Sequence, residues 1–309
     1  MVDAVITWVD GADLGHRQKR QLYAKSENAL NIEAHAATRF SDNGELHYCI
    51  QLIRKNAPWI NRIFLVTDAQ CPEWLDKGKI AELGVQLVDH KVIFRGHEEV
   101  LPTFSSRTIE TCLHRIPELS ERFVFLNDDF FITRPVTEAD YFEGDVPLIR
   151  GFSFYRNKIL REITRMVKGK TFTAAGMIGT KISPDDPLKL VRDVKIAHTP
   201  HPINRYDFAS VMEASGRLER NIPFRTRDQS QFRPLVLYAA AGLKFGRIKL
   251  VPRDDIFIDP KDCEPLVFET LKAQIAAQDT RHMCVQSLDN FTPESRASIF
   301  AILDQLVAS

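Results

Sequence analysis

The sequence predicts an α/β protein organised on a mostly parallel sheet with both faces covered. Three observations carry this. Short apolar runs of strand length recur along the first half, segments of helical composition separate them, and polar residues collect where the runs end. Ligands of such sheets gather beyond the carboxyl ends of the strands. Those ends carry Trp8-Val-Asp10-Gly11, Thr67-Asp68, Asp89-His90 and Asn127-Asp128-Asp129.

Taken in order, Asp3 to Val9 is a β-rich run, followed by the turn-forming Asp10-Gly11 and a polar stretch of helical composition, an opening β-α unit. Ser41-Asp-Asn-Gly-Glu45 suits the start of a helix from about Glu45 to Lys55, with Leu46, Ile50 and Ile53 on one face and Pro58 beyond its end. Ile63 to Thr67 reads as a buried strand and Val85 to Val88 as a weaker one. Ser105 to Arg115 reads as a helix and Phe123 to Leu126 as a further strand. From about Asp145 to Val194 the pattern is less regular. Its Arg150, Arg156, Lys158, Arg161, Arg165, Lys168 and Lys170 suit either a flap over the ligand face or a solvated helix with loops. No internal repeat, low-complexity tract or linker breaks the chain, which favours one elaborated domain over 1–309.

Composition excludes several classes. The 309 residues hold 41 Lys plus Arg against 41 Asp plus Glu with no strongly basic tract, so the electrostatic footprint of a nucleic-acid binder is missing. The five cysteines, at 49, 71, 112, 263 and 284, form no CxxC pair and read as reduced, mostly buried thiols. The N-terminus lacks a basic leader, and no run approaches the roughly 20 apolar residues of a membrane span. The expected location is cytoplasmic. A peripheral contact with a membrane is left to amphipathic helices near the C-terminus, which otherwise pack on their own domain.

The segment Arg122-Phe-Val-Phe-Leu-Asn-Asp-Asp129 points to phosphate chemistry. An apolar strand ending in two carboxylates can hold a divalent metal, since hard cations take oxygen ligands and share them with substrate phosphates. Read alone, it is equally a strand running into an Asx turn. Adjacent residues on an extended strand point to opposite faces, so Asp128 and Asp129 reach one metal together only if the strand ends at Asn127. On the predicted helix, Ser106 and His114 stand four residues to either side of Glu110 and would share its face. His198 and His201 flank Thr-Pro, so their segment is extended and does not match the helical two-His zinc motif. A histidine suits a base or a charge stabiliser, and a core histidine is the competing reading. Asn43 and Glu45 read as ligand contacts or as a helix cap, Asp68 as a contact or a turn, and Arg227 with Asp228 as a pair at a helix start.

The same residues carry a family pattern. The first block is Val2-Asp-Ala-Val-Ile-Thr-Trp-Val-Asp-Gly11. The second takes in Arg39-Phe-Ser-Asp-Asn-Gly-Glu-Leu46, Ala57-Pro-Trp59, Leu65-Val-Thr-Asp-Ala-Gln70, Leu101-Pro-Thr-Phe-Ser-Ser106, Ile109-Glu110, Leu113-His-Arg-Ile-Pro117 and Phe125-Leu-Asn-Asp-Asp129. The third is Ala197-His-Thr-Pro-His201 continued by Phe224-Arg225, and the fourth Cys284-Val-Gln-Ser-Leu-Asp289. In this order the blocks resemble the Stealth family of sugar-phosphate transferases, which includes bacterial capsule-polymer enzymes and the animal GlcNAc-1-phosphotransferase. Departures are local: Asp10 stands where the animal enzyme has Asn, and Ser287-Leu288 replaces an Ile-Asn-Asp type sequence.

The resemblance implies a Rossmann-like, glycosyltransferase-A-like core that binds a nucleotide sugar, with core 1–145 and 191–309, a variable insertion-like segment 146–190 and an elaborated C-terminal half. It implies transfer of a sugar-1-phosphate from a UDP-sugar, foremost UDP-N-acetylglucosamine, to a glycan hydroxyl in capsule or surface polysaccharide synthesis, with release of UMP. The implied cofactor is Mg2+ or Mn2+, held by Asp128 and Asp129 with Asp289. Glu110 and His198 then belong to the active site, with His201 a structural neighbour, and Arg225 grips phosphate. Trp8, Asp10 and Gly11 receive the uracil and ribose, and Asn43, Glu45 and Asp68 contact the nucleotide.

Overall fold

A computed structural model describes residues 1–24, 40–157, 159, 180, 186–260, 269–270, 273–275 and 280–308. Arg39, Cys263 and the basic residues Lys158, Arg161, Arg165, Lys168 and Lys170 lie outside the described residues. The centre is a five-stranded sheet in the order β3 (Val85–Asp89), β2 (Ile60–Thr67), β1 (Val2–Thr7), β4 (Arg122–Asn127) and β9 (His201–Asn204). The first four run parallel, and β9 is antiparallel to β4. The strand order 3-2-1-4 is that of a Rossmann-like α/β sheet.

Side-chain alternation explains why these strands read as continuous apolar runs. In β1, Val2, Ala4 and Ile6 enter one core and Val5 the other. In β4, Val124 and Leu126 oppose Phe123 and Phe125. The first core is closed by the Glu45–Asn56 helix, through Leu46, Cys49, Ile50, Leu52 and Ile53, and by the C-terminal Pro293–Ala308 helix. That last helix is tied to its neighbour, with Tyr48 Oη donating to Asp304 at 2.7 Å and Lys55 Nζ to the Leu306 carbonyl at 2.7 Å. It therefore packs on its own domain. The second core is filled by the Pro234–Phe245 and Arg205–Glu213 helices.

Two smaller sheets complete the scaffold. One joins β10 (Lys249–Val251), β7 (Val146–Tyr155) and β6 (Phe142–Glu143), with β8 (Arg192–Ile196) on the other part of β7. The first ten residues of the segment expected to be an insertion are thus a paired strand. Arg150, counted among its basic surface residues, is only 3% exposed and grips Asp254 with Nε and Nη2. The other sheet places β12 (His282–Val285) between β11 (Asp255–Ile258) and β5 (Phe130–Ile132), with Cys284 opposite Phe130. This pairing brings the C-terminal part of the chain against Asp129.

The expected Ser105–Arg115 helix is shorter. It runs over Ser106–Thr111, breaks at Cys112 and resumes as a 3-10 turn over Leu113–Arg115. His114 consequently leaves the face of Glu110, and its Nε2 lies 2.9 Å from Glu213 Oε1.

Candidate active site

A cavity of about 650 Å3 opens at the carboxyl ends of the central strands. It falls within the roughly 300–1,000 Å3 of small-molecule sites. Trp8, Asp68, Asp128 and Asp129 line it from the sheet and Glu110 from the helix. His198 and His201 line it from the chain between β8 and β9, and Asp289 from the loop after β12.

The acidic end is built by a turn. β4 stops at Asn127 and β5 starts at Phe130, so Asp128 and Asp129 leave the turn together instead of alternating along a strand. Burial raises the pKa of Asp128 well above the ordinary carboxylate range, and the charges of Asp129, Glu45 and Asp42 raise it further. Asp129 is raised in the same way, by burial and then by Glu45. Its Oδ2 lies 3.7 Å from Cys284 Sγ, while Oδ1 is buried with no hydrogen-bond partner among the described residues. Glu45 is itself buried, which raises its pKa, and it accepts from the amide of Asn43 at 2.7 Å and from its side chain at 3.0 Å. The pairing of Asn43 and Glu45 therefore reverses the expected cap: no side chain caps this helix, whose first flanking residue is Gly44 at φ 93°.

Crowded, partly orphaned carboxylates fit a hard divalent cation, which takes oxygen ligands. Among the described residues no group of three or more His, Cys, Asp and Glu side chains is disposed to hold a metal. The expected set of Asp128, Asp129 and Asp289 is thus not a ready-made three-ligand site. The residues present match a cation such as Mg2+ that takes one or two carboxylates and completes its shell with substrate phosphate and water.

Another part of the lining is basic. Glu110 has a pKa raised by burial, against which Arg227, Arg233 and Arg107 pull. All four residues line the cavity. Arg227 donates to Ser106 Oγ, and Arg107 Nη1 to the Asp228 carbonyl at 2.8 Å. The expected phosphate-gripping residue, Arg225, is not part of this wall. Its guanidinium donates to the carbonyls of Glu99, Val100 and Pro102, each at 2.9 Å, and stacks 4.5 Å from the centre of the Tyr23 ring. The side chain two positions on, Arg227, faces the cavity instead.

Beside this wall, His198 packs edge-on against Phe257 at 4.7 Å, and both His198 and His201 approach Phe130. Burial, then the neighbouring Arg233, lowers the pKa of His198. Burial and then His198 push His201 down to about 3. Both imidazoles are neutral near pH 7.

The third end of the cavity lies where β1, β2 and β3 finish. Trp8 and Asp68 line it, Asp68 paired with Lys19 at 2.8 Å, alongside Phe40 and Phe104. Asp10 and Gly11 do not line it and instead brace the loop behind. The Asp10 amide and carbonyl both bond the Gln70 side chain, its carboxylate accepts from Ala12, and Gly11 donates to the Phe40 carbonyl at 2.6 Å. A Cβ on Gly11 would lie 2.3 Å from that carbonyl oxygen, so the close backbone approach made by this glycine is to Phe40 and not to a ligand.

Two histidines given no role from the sequence stand here, His90 noted there only as a strand-end residue. His16 and His90 are buried, line the cavity, and have Nδ1 atoms without a hydrogen-bond partner among the described residues. Burial lowers the pKa of both. His90 carried a signal, standing at the end of β3. His16 carried none, lying in a polar stretch of helical composition.

Fold and cavity together define an α/β protein whose ligand site, at the strand ends, is lined by buried carboxylates and by guanidinium groups, a composition suited to a phosphate-bearing ligand. The chain belongs to the Stealth family. Residues 39–147 match the model for Stealth protein CR2, conserved region 2. A capsular polysaccharide phosphotransferase LcbA of Aeromonas hydrophila is 31% identical over 265 residues, covering 82% of this chain and 69% of that protein. A capsular polysaccharide phosphotransferase LcbA of Neisseria meningitidis is 37% identical over 144 residues, covering 47% of this chain and 38% of that protein, so the chain spans well under half the length of this relative. Among solved structures, an active-site mutant of LgtC matches with a TM-score of 0.47 and 10% identity, over 98% of this chain and 96% of the other.

Proposed function

We propose that this chain transfers a sugar-1-phosphate from a nucleoside-diphosphate sugar to a glycan hydroxyl, forming a phosphodiester in capsule or exopolysaccharide synthesis. UDP-N-acetylglucosamine is the donor and UMP the leaving product. The observation that carries the reading is that one cavity is lined by the Asp128–Asp129 pair together with Glu110, Arg227 and Arg233. The names of the relatives, capsular polysaccharide phosphotransferases, supply the polymer context.

In this reading the acceptor oxygen attacks the sugar-side phosphorus, and the bond from phosphorus to the oxygen bridging to UMP breaks. Asp128 and Asp129 are the residues that would hold Mg2+ or Mn2+, and the cation would supply neutralisation of charge on the leaving phosphate. Arg227 and Arg233 stabilise the equatorial oxygens of the transferred group, where charge spreads. The acceptor proton passes to Glu110 or to His198, both able to receive one; a neutral imidazole is the form a base requires. His201 orients its neighbour by packing on the same Phe130 ring. Trp8, Asp68, His16 and His90 form the nucleoside end, with Asn43 setting the rotamer of Glu45 between the two regions. No helix among the described residues is long and apolar enough to cross a membrane, and a cytoplasmic site of action suits a nucleotide-sugar donor.

The nucleotide product tests the reading. Purified protein incubated with UDP-N-acetylglucosamine, Mg2+ and candidate glycans should release UMP in step with phosphodiester formation. Accumulation of UDP in step with acceptor modification overturns it in favour of ordinary glycosyl transfer. Unmodified acceptor, together with no thermal stabilisation by the donor with or without Mg2+, overturns it in favour of a silent binding subunit.

A further inference from the structure

Two turns at one end of the molecule carry the same pattern of a large exposed apolar side chain between cations. Lys189-Leu190-Val191-Arg192 leads into β8, and Lys244-Phe245-Gly246-Arg247 closes the Pro234–Phe245 helix. Val191 is 64% exposed and Phe245 61% exposed, and the four flanking cations are exposed as well. The turns are joined, because Lys244 Nζ donates to the carbonyls of Leu188 and Lys189. Each turns over through a left-handed residue, Lys189 at φ 40° and Gly246 at φ 66°, which aims the tips outward.

Among the described residues, the acidic neighbours of these tips are engaged elsewhere. Asp186 is buried and held by Arg217, and Asp193 is buried against Thr180. Lys189, Arg192, Lys244 and Arg247 make no ion pair with an acidic side chain among the described residues. A single exposed apolar residue calls for no explanation. Two of them on joined turns, among four exposed cations of which Arg192 stacks on Tyr155 and Lys244 on Phe245 itself, have the composition of a surface that sits in lipid headgroups.

We propose that the two tips dock this protein on an anionic bilayer, Val191 and Phe245 entering the interface and the four cations meeting lipid phosphates. A soluble polyanion would engage the cations but leave the apolar tips unexplained. A second copy docked symmetrically would set four positive charges against four. The geometry suits a working orientation. β8 and the Pro234–Phe245 helix both connect the tips to the cavity, through Ile196 and Arg233. Twelve helical residues rise about 18 Å, so a docked protein holds its cavity roughly that far above the lipid, open to water.

Co-sedimentation of the full chain with vesicles of phosphatidylcholine, alone or mixed equally with phosphatidylglycerol, tests this without any turnover. It is therefore independent of the reaction proposed above. Each basic residue near an anionic surface is worth roughly fivefold in partition, so binding to mixed vesicles should exceed that to neutral ones by about 100-fold or more and fall as salt is raised. Phe245→Asp, and separately Arg192→Glu with Arg247→Glu, should each weaken it by about tenfold or more, with melting temperature and turnover of soluble substrates unchanged. Equal partition to both vesicle types overturns the proposal, as does wild-type binding by the variants. Retention on a soluble polyanion with none on vesicles overturns it too, as does a concentration-dependent dimer abolished by Phe245→Asp.

Discussion

Arg227 donates to Ser106 Oγ at 2.6 Å through Nη2 and at 3.2 Å through Nε, one helical turn from Glu110 and on the cavity wall. Arg225, two positions earlier, spends its guanidinium on three backbone carbonyls. The two arginines therefore separate function from stability. Arg227→Ala should lower kcat/KM by about 100-fold or more, as expected on losing a charge-stabilising donor, with little change in unfolding free energy. Arg225→Ala should cost about 1–3 kcal/mol of stability, because two half-buried carbonyls and one exposed one lose a charged donor, while the folded fraction keeps kcat/KM within a few-fold. Kinetics and denaturant unfolding on both variants check this, and the reverse pattern returns the phosphate role to Arg225.

Gly11 tests the loop that backs the nucleoside end. With Phe40 backbone in the place a methyl group would take, Gly11→Ala has to displace either the Asp10 turn or the chain at Phe40. The expected cost is about 1–3 kcal/mol, the usual range for overpacking. Donor KM should rise as well, since Phe40 and Trp8 line the cavity directly in front. Thermal unfolding with donor titration would show both effects. A variant with unchanged melting and unchanged KM would mean that this loop is free to shift.

What could be read in the sequence follows from what each residue answers to. β1 and β4 are buried on both faces, so their apolar runs are continuous and their ends nearly fixed by composition, whereas β2 begins at Ile60, three residues before its apolar run, through the polar Asn61 and Arg62. The turn at Asp128 and Asp129 was legible as one of two alternatives, and the end of β4 at Asn127 decides between them. Less legible were side chains whose partners lie far along the chain. Arg150 reads as one more basic residue until Asp254, 104 positions away, pairs with it. Arg225 and Arg227 are alike in sequence, and only the carbonyls of residues 99–102 divide their roles. His114 left the Glu110 face because the helix broke at Cys112.

Asp3 supplies a pH test of the fold. It is fully buried at the start of β1, and burial alone would raise its pKa. Hydrogen bonds from Arg62 and from the Ser120 amide, with the Arg62 charge, outweigh that and leave it below the ordinary aspartate value. A folded pKa below the unfolded one gives stability that is fully present above the unfolded carboxylate value, about 3.9, and is lost as pH falls through the folded value. Asp3→Asn should therefore destabilise the protein by about 2 kcal/mol at neutral pH, since Arg62 loses its buried partner and keeps only the exposed Glu118. It should also flatten the loss of stability on acidification below about pH 4. Urea midpoints from pH 7 down to pH 3 would reveal it, and parallel curves for variant and parent would rule it out.

The Asp128–Asp129 turn carries the opposite sign. Burial and mutual repulsion with Glu45 and Asp42 raise these carboxylates, so without a cation each weakens the fold at neutral pH and becomes less costly as pH falls. Asp128→Asn and Asp129→Asn should each leave the melting temperature in metal-free buffer equal to or above that of the parent. Both should also abolish the added stability that Mg2+ with donor confers, and turnover should fall by about 1,000-fold or more in each, on the scale of losing a charge that anchors a phosphoryl-transfer metal. Stability gained where activity is lost marks a cluster kept for chemistry and not for folding. If either variant instead unfolds in metal-free buffer while the surviving protein turns over normally, the turn is a structural element and the metal seat must be sought elsewhere on the cavity wall.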